Sequence, residues 1–331
     1  MKGVDLSQFQ FDYDLTWAAF FMNPDGAIYG RYGTRSVAGA MAHNSMESLK
    51  NAMKLALELH RNYPANKESL MEKRGSEPRW KTALDIPALR KQFAKNLMKP
   101  TGKGNCIHCH NIHNGWIDTA YDEENFDIDS IWRYPLPDNI GIPIDVDSGN
   151  VVERVIEGSF AEKAGIQAGD VIRTMNSQPI ISQADMQWVL ENLPAVADLK
   201  IEVERDGKVL TKALALSGDW KKSDVSWRGS IWSVRPKLKI WVPELSLEEK
   251  EALGLSPEML ALKAKWINNP AAKKAGLKTN DIIVEADGKT EAMTPGQFNL
   301  WIKLNYHPGD QLPVKVLRGQ EKISLAIPLL E

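Results

Sequence analysis

Cys106-Ile107-His108-Cys109-His110 gathers both cysteines of the 331-residue chain and two of its six histidines into one short run, with His113 close behind. Two thiols at this spacing can each add across one vinyl group of a porphyrin, and a histidine directly after the second thiol then lies beneath the iron as an axial ligand. Cys-x-x-Cys-His is the attachment pattern of a c-type haem. It makes Cys106, Cys109 and His110 cofactor-binding residues, with His110 ligating the metal. Other chemistries compete. A redox dithiol needs Cys106 and Cys109 and leaves His110 without a task. A zinc site would draw on Cys106, Cys109, His110 and His113, ligands more crowded than the usual paired spacing. A disulfide or a pair of buried thiols is the plain structural alternative. His108, between the thiols, is expected to face solvent. For the sixth position of a haem iron the sequence offers Met98, His113 or water, and His113, one turn past His110, is badly placed for the opposite face.

The elements that must hold this motif sit in a chain long enough for two or three domains. At 43% hydrophobic and 25% charged residues it can bury real cores. Lysine plus arginine (41) nearly balance aspartate plus glutamate (43), which gives no electrostatic case for nucleic acid. The apolar run Trp17 to Met22 is far too short to span a bilayer. The N-terminus shows no signal peptide, whereas haem attachment of this kind occurs outside the cytoplasm. The expectation is a periplasmic or otherwise extracytoplasmic protein whose biological start lies upstream of Met1.

Trp17 to Met22 reads as a strand, Asn23-Pro24-Asp25-Gly26 as a turn, and Ala27 to Tyr32 as a returning strand. Asn44 with Glu47 makes a helix cap, after which Met46, Leu49, Met53, Leu57 and His60 fall on one face. His60 is expected to pack rather than to ligate. Residues 64–85 read as an exposed linker, broken by Pro64, Gly75 and Pro78. Pro87 starts a helix to about Leu97, Pro100 to Gly104 break it, and the haem motif opens the next helix within a segment spanning 86–138. Trp116, Tyr121, Phe126, Ile131 and Trp132 either wall a haem or pack on the neighbouring domain.

Beyond residue 138 the chain repeats itself. Ser159-Phe-Ala-Glu-Lys-Ala-Gly165-Ile-Gln-Ala-Gly-Asp170-Val-Ile172 recurs as Pro270-Ala-Ala-Lys-Lys-Ala-Gly276-Leu-Lys-Thr-Asn-Asp281-Ile-Ile283. Leu199, Ile201, Val203 and Arg205 likewise match Leu312, Val314, Val316 and Arg318, so a domain is duplicated. Each copy resembles the PDZ domains attached to envelope trypsin-like proteases. The resemblance implies binding of a C-terminal peptide as an added strand, its carboxylate received by backbone N–H groups of a hydrophobic-Gly-hydrophobic loop. In copy one (139–218) that loop is Ile140-Gly141-Ile142, beside a helix from Ser182 to Leu193. In copy two (238–331) it is Leu238-Lys239-Ile240, where lysine replaces glycine and a structural role is expected. Residues 219–237 form a tryptophan-rich, ordered connector.

The order strand, hairpin, strand, helix in Phe11 to Arg35 and beyond resembles the second half of a thioredoxin-like domain, over residues 1–63. Residues 1–138 lack the glycine-flanked serine and the length of a trypsin-like catalytic domain. Taken whole, the chain resembles the bacterial thioredoxin-like/PDZ tandem (seleno)proteins, envelope redox proteins whose members can carry selenocysteine in an N-terminal half. The expected fold is multidomain α+β: a partial thioredoxin-like α/β unit, a small helical haem segment and two PDZ-like β-sandwich or barrel domains. The expected function is electron transfer by a covalent c-type haem, with a redox partner and PDZ-mediated peptide or protein binding. A non-enzymatic PDZ adaptor with zinc or a thiol pair in the Cys-His cluster is the alternative, and catalytic residues are unknown.

Overall fold

The computed structural model describes residues 1–94 and 106–331, so Met98, the expected helix end at Leu97 and the break at 100–104 lie outside the described residues. The chain divides into two compact units, Met1–Arg228 and Gly229–Glu331. No helix among the described residues is long and apolar enough to cross a membrane.

The first unit opens with an antiparallel hairpin, β1 (Ala19–Met22) and β2 (Ile28–Tyr32), followed by helix α1 (Met46–Arg61). That order is the expected one, but the helix presents another face. Its small residues Ser48, Ala52 and Ala56 are buried, so the backbone packs closely on Tyr29 and Tyr32. Met46, Met53 and Leu57 are exposed. Small side chains allow close approach, and longer ones on the adjoining face are left outside. Ser45, not Asn44, caps the helix, in a reciprocal box with Ser48. His60 is exposed rather than packed into the core, its ring edge-on to Tyr29 and its Nδ1 hydrogen-bonded to the Tyr29 hydroxyl at 2.7 Å.

Residues 64–85 are not an exposed linker. Helix α2 (Lys67–Leu70) and a following 3₁₀ turn bury Leu70 and Lys73. Lys73 forms an ion pair with Asp185 at 3.1 Å, both side chains 1% exposed. Polar residues broken by prolines look like a linker until their partners are known; here the partner of Lys73 lies more than a hundred positions away. Helices α3 (Pro87–Phe93) and α4 (Cys109–Asp122) then pack together. Their core joins Ile86, Leu89, Ile107 and Ile112 to Leu6 and Tyr13, so the motif segment shares its core with the start of the chain.

Copy one contributes α5 (Phe160–Lys163), β3 (Val171–Met175), β4 (Gln178–Pro179), α6 (Gln183–Glu191), β5 (Ala197–Arg205) and β6 (Lys208–Leu216). The sheet order is β4-β3-β5-β6. Alternation along β5 puts Leu199, Ile201 and Val203 into a core with Ile140, Ile142, Ile172 and Leu190. The tryptophan-rich connector divides. Trp220 closes the copy-one core, and Arg228 is buried in the first unit.

The second unit contains β7 (Ile240–Trp241), α7 (Leu247–Ala252), β8 (Leu262–Lys263), β9 (Trp266–Ile267), α8 (Pro270–Lys274), β10 (Ile282–Ala286), α9 (Pro295–Asn305), β11 (Gln311–Arg318) and β12 (Glu321–Pro328). Its main sheet is ordered β12-β11-β10-β8, and β7 pairs with β9 in a separate two-stranded sheet. One repeated clasp marks the duplication. Arg205 grips Asp170 through Nε (2.6 Å) and Nη2 (2.7 Å), and Arg318 grips Asp281 in the same way at 2.7 Å each. Burial works against each carboxylate's charge. The arginine and one backbone amide nevertheless hold both below the ordinary carboxylate range.

Candidate functional site

In copy one the loop Ile140-Gly141-Ile142 is built as a peptide carboxylate site would be, but its donors are spent. Gly141 takes φ +92°, and a Cβ there would lie 2.1 Å from the Ser159 hydroxyl oxygen, so only glycine fits. The Gly141 amide donates to Asp138 O and the Ile142 amide to Pro137 O, both at 2.9 Å. The neighbouring helix is sealed as well, every residue from Gln183 to Leu190 being buried. Ser182 donates to Arg31 O, and the Arg31 amide donates to Asp185 at 3.0 Å. Thr34 donates to Gln187, whose amide donates to Tyr134 O at 2.7 Å. The Tyr134 amide donates to Glu191, which also pairs with Arg133 at 2.8 Å. Trp188 donates to Glu72 O and carries the Arg31 guanidinium 3.9 Å above its ring. Across the groove, Ser45 and Asn51 reach Val146 O and Ser148 O. The sequence-predicted site residues Ile140, Gly141 and Ile142 are thus brought together, but with the Gly141 and Ile142 amides and the facing helix occupied by the chain itself.

Copy two is arranged differently. Lys239 adopts the loop's left-handed backbone at φ +50°, so lysine has taken the glycine conformation. Three loop carbonyls are held by protein donors: Pro236 O by Lys303 Nζ, Leu238 O by Asn269, and Lys239 O by the Asn268 amide. The last bond makes Ile240–Ile267 a non-hydrogen-bonded pair, which points the Ile240 amide and carbonyl away from β9. Among the described residues no strand pairs with that outer edge of β7. Helix α9 shares a core with the loop, Phe298 and Ile302 packing with Leu238 and Ile240. Beside the edge, Trp241 and Trp266 stand as an exposed cross-strand pair.

The Cys-His motif straddles the start of α4, with Cys106 and Ile107 in the irregular chain before it and His108 at its N-cap. The thiols are not bridged to each other. Burial pushes the Cys109 thiol above its ordinary range, the opposite of what a reactive dithiol needs. His110 Nδ1 meets Asn114 Oδ1 at 2.9 Å, which places its hydrogen on Nδ1 and leaves the Nε2 lone pair for a metal. His108 is exposed, as expected. His113 is committed elsewhere, buried with its Nδ1 2.7 Å from Asp14. The four-ligand zinc set is therefore not gathered. Among the described residues, the side chains close enough to share a metal are Asp12, Asp14 and His113.

That second cluster was not foreseen. Arg228 Nη1 lies 2.6 Å from Asp12 and 3.3 Å from Asp14, and already supplies the counter-charge. Burial disfavours the guanidinium's charge, but the two carboxylates more than offset it and hold Arg228 above the ordinary arginine range. Asp12-x-Asp14 is the one local signal, and Arg228 lies within the tryptophan-rich stretch with nothing beside it in sequence to point to the aspartates. Of the aromatic residues after the motif, Trp116 packs on Tyr13 and His113, Tyr121 stacks on Phe126, and Trp132 donates to Ser223 O.

Residues 139–216 and 252–329 each match the PDZ domain family, so the duplicated unit is a pair of PDZ domains. The chain is 31% identical over 199 residues, 59% of its length, to the "Probable periplasmic serine endoprotease DegP-like" of Pseudomonas savastanoi pv. phaseolicola, covering 37% of that protein. It is 28% identical over 226 residues to the protein of the same name from Pseudomonas fulva, covering 66% of this chain and 44% of the relative. The chain therefore spans less than half the length of these curated relatives. Among solved structures it is similar to "HtrA-type protease AlgW with decapeptide" (21% identity, TM-score 0.25, 40% of this chain and 41% of that one). It is also similar to "HtrA-type protease AlgW with tripeptide" (18% identity, TM-score 0.25, 38% and 42%).

Proposed function

We propose that this chain is an extracytoplasmic binding protein in which PDZ copy two takes an extended C-terminal peptide by strand addition and copy one serves as an internal dock. The observation that carries the reading is the contrast between the two loops. The Ile142 amide is spent on Pro137 O, whereas the Ile240 amide faces the open edge of β7. A peptide laid along that edge gains main-chain hydrogen bonds, with its end at the Leu238-Lys239-Ile240 turn. The periplasmic names of the relatives support the location. Hydrogen exchange of the full chain, with and without a pool of random decapeptides carrying free C-termini, tests this directly. Protection should appear at Ile240 and Val242. Protection at 140–144 instead would reverse the assignment.

A second reading concerns the first unit, where the residues present fit a c-type haem. Cys106 and Cys109 would hold it by thioether bonds, and Asn114 fixes the His110 tautomer that offers Nε2. Bound haem would supply reversible one-electron transfer, giving the binding protein a redox role and the β1–β2–α1 unit the place of a thioredoxin-like scaffold. Co-expression with haem-maturation machinery in a periplasm, followed by a reduced pyridine haemochrome spectrum, decides it. A c-type band is expected. Stoichiometric zinc without that band would end the redox reading.

A further inference from the structure

Among the described residues, buried lysines come with an acid, except one. Lys73 pairs with Asp185 at 3.1 Å and Lys250 with Glu244 at 3.0 Å. Lys303 of α9 is 5% exposed and has no carboxylate partner among the described residues. Its ammonium donates to Val234 O and to Pro236 O, the latter at 3.0 Å, which satisfies two of its three N–H bonds. Carbonyl oxygens orient an ammonium but do not neutralise it, and an uncompensated buried charge is costly to keep. The repeat sharpens the contrast. Ser182 and Thr294 cap the corresponding helices, and the same count onward reaches Glu191 in copy one and Lys303 in copy two. Glu191 is balanced by Arg133 and sits against a sealed groove. The substitution reverses the sign of the charge beside the loop that remains open.

We infer that Lys303 is the counter-charge for a peptide's terminal carboxylate in copy two, a specificity-determining residue that selects free C-termini over internal or amidated strands. This rests on the reading of copy two as the peptide groove. Pro236, whose carbonyl anchors the ammonium, lies within the turn that leads to the Ile240 amide, so the charge is held at the same turn as the backbone donors. Asn269 and the Asn268 amide hold the other loop carbonyls back from that spot.

The state of Lys303 before binding fits this role. Burial, with help from Lys237, lowers its pKa to about 7. Lys237 is the charged group that faces it from the loop segment. Asn299 and Leu300 on the adjoining turn of α9 carry no charge, and His307 beyond them is exposed and turned to Asp310. An arriving carboxylate therefore draws a proton onto the neutral amine, and binding weakens as pH rises past neutrality.

The test measures binding of random decapeptides with an apolar last residue, as free acids and as C-terminal amides, to the full chain and to Lys303→Met. Methionine keeps the length of the side chain and removes the buried charge, and a thermal melt checks that the fold is retained. The wild-type chain should prefer free acids at least tenfold at pH 6, and should lose about tenfold of that affinity by pH 8. Amides should be indifferent to pH. Lys303→Met should bind both pools alike, with no pH dependence. If the variant keeps the preference and the pH profile, Lys303 is not the counter-charge, although the groove stands. If the wild-type chain binds neither pool, the groove reading fails and this inference with it. The pH profile needs no variant, so a misfolded Lys303→Met would still leave a decision.

Discussion

Replacing Lys73 by methionine tests whether copy one is truly locked into the first unit. The Lys73 ammonium and the Asp185 carboxylate lie 3.1 Å apart, each 1% exposed. Burial pulls the ammonium's pKa below the ordinary lysine range, while Asp185 pulls it back up. At an effective dielectric of about 20 the pair's attraction is on the order of 5 kcal/mol, much of it cancelled by the desolvation of both ions. Removing one partner does not simply return that net value. It leaves the Asp185 carboxylate in the interior with the backbone amides of Arg31 and Ile181 and the charge of the buried Arg31 guanidinium as its remaining support. Loss of one member of a buried pair typically costs about 3–5 kcal/mol. For a unit of this size that is a fall of roughly 10 °C in melting temperature. The assay is urea and thermal unfolding of the full chain followed by tryptophan fluorescence, with hydrogen exchange on α6. Lys73→Met should lose that stability and speed exchange across Gln183–Leu190. Adding Asp185→Asn, which removes the stranded charge but keeps an acceptor for the Arg31 amide, should restore more than half. A single-variant loss under about 1 kcal/mol, or no rescue by the second change, would refute the claim that this pair seals the helix.

Two glycines separate steric overlap from backbone strain. Gly141 and Gly158 both have positive φ, but a Cβ at Gly158 meets nothing within 4 Å. Gly158→Ala should cost about 1 kcal/mol in urea unfolding and Gly141→Ala at least twice that, and equal costs would mean the Ser159 contact relaxes freely. Asp281, held below its ordinary range mainly by Arg318, contributes stability that is present above pH 3.8 and is lost as pH falls through the lower folded value. Asp281→Asn should therefore flatten the acid limb of the second unit's stability curve, measured by circular dichroism between pH 5 and pH 2. An unchanged limb would place the acid-sensitive group elsewhere.

Local chemistry was legible in the sequence, and long-range occupancy was not. The hairpin at Asn23 to Gly26, the strand alternation and the duplicated Ala-Gly-(Ile/Leu) stretch each carry their conformational reason within a few residues, and each appears in place. The Asp170–Arg205 clasp was foreshadowed because both copies keep both residues. By contrast, Ile140-Gly141-Ile142 announces a peptide site through residue type and spacing. Its closure depends on Asp138 and Pro137 carbonyls nearby and on Arg31, Thr34 and Ser45 far upstream. Residues 64–85 misled for the same reason, since Lys73 reads as a surface lysine until Asp185 is brought to it. The face of α1 was misjudged because apolar periodicity favoured methionine and leucine over the alanines and serine that allow closer packing.

The strands and turns that cover copy one are covalently part of the molecule they cover. A tethered segment competes at an effective concentration that reaches the millimolar range when its connection is short. A free peptide of micromolar affinity would have to approach that level before it displaced the chain's own residues. On the proposed reading, copy one is thereby insulated from free C-termini without loss of its PDZ framework, and the duplication keeps one open groove without the two copies drawing on the same ligands.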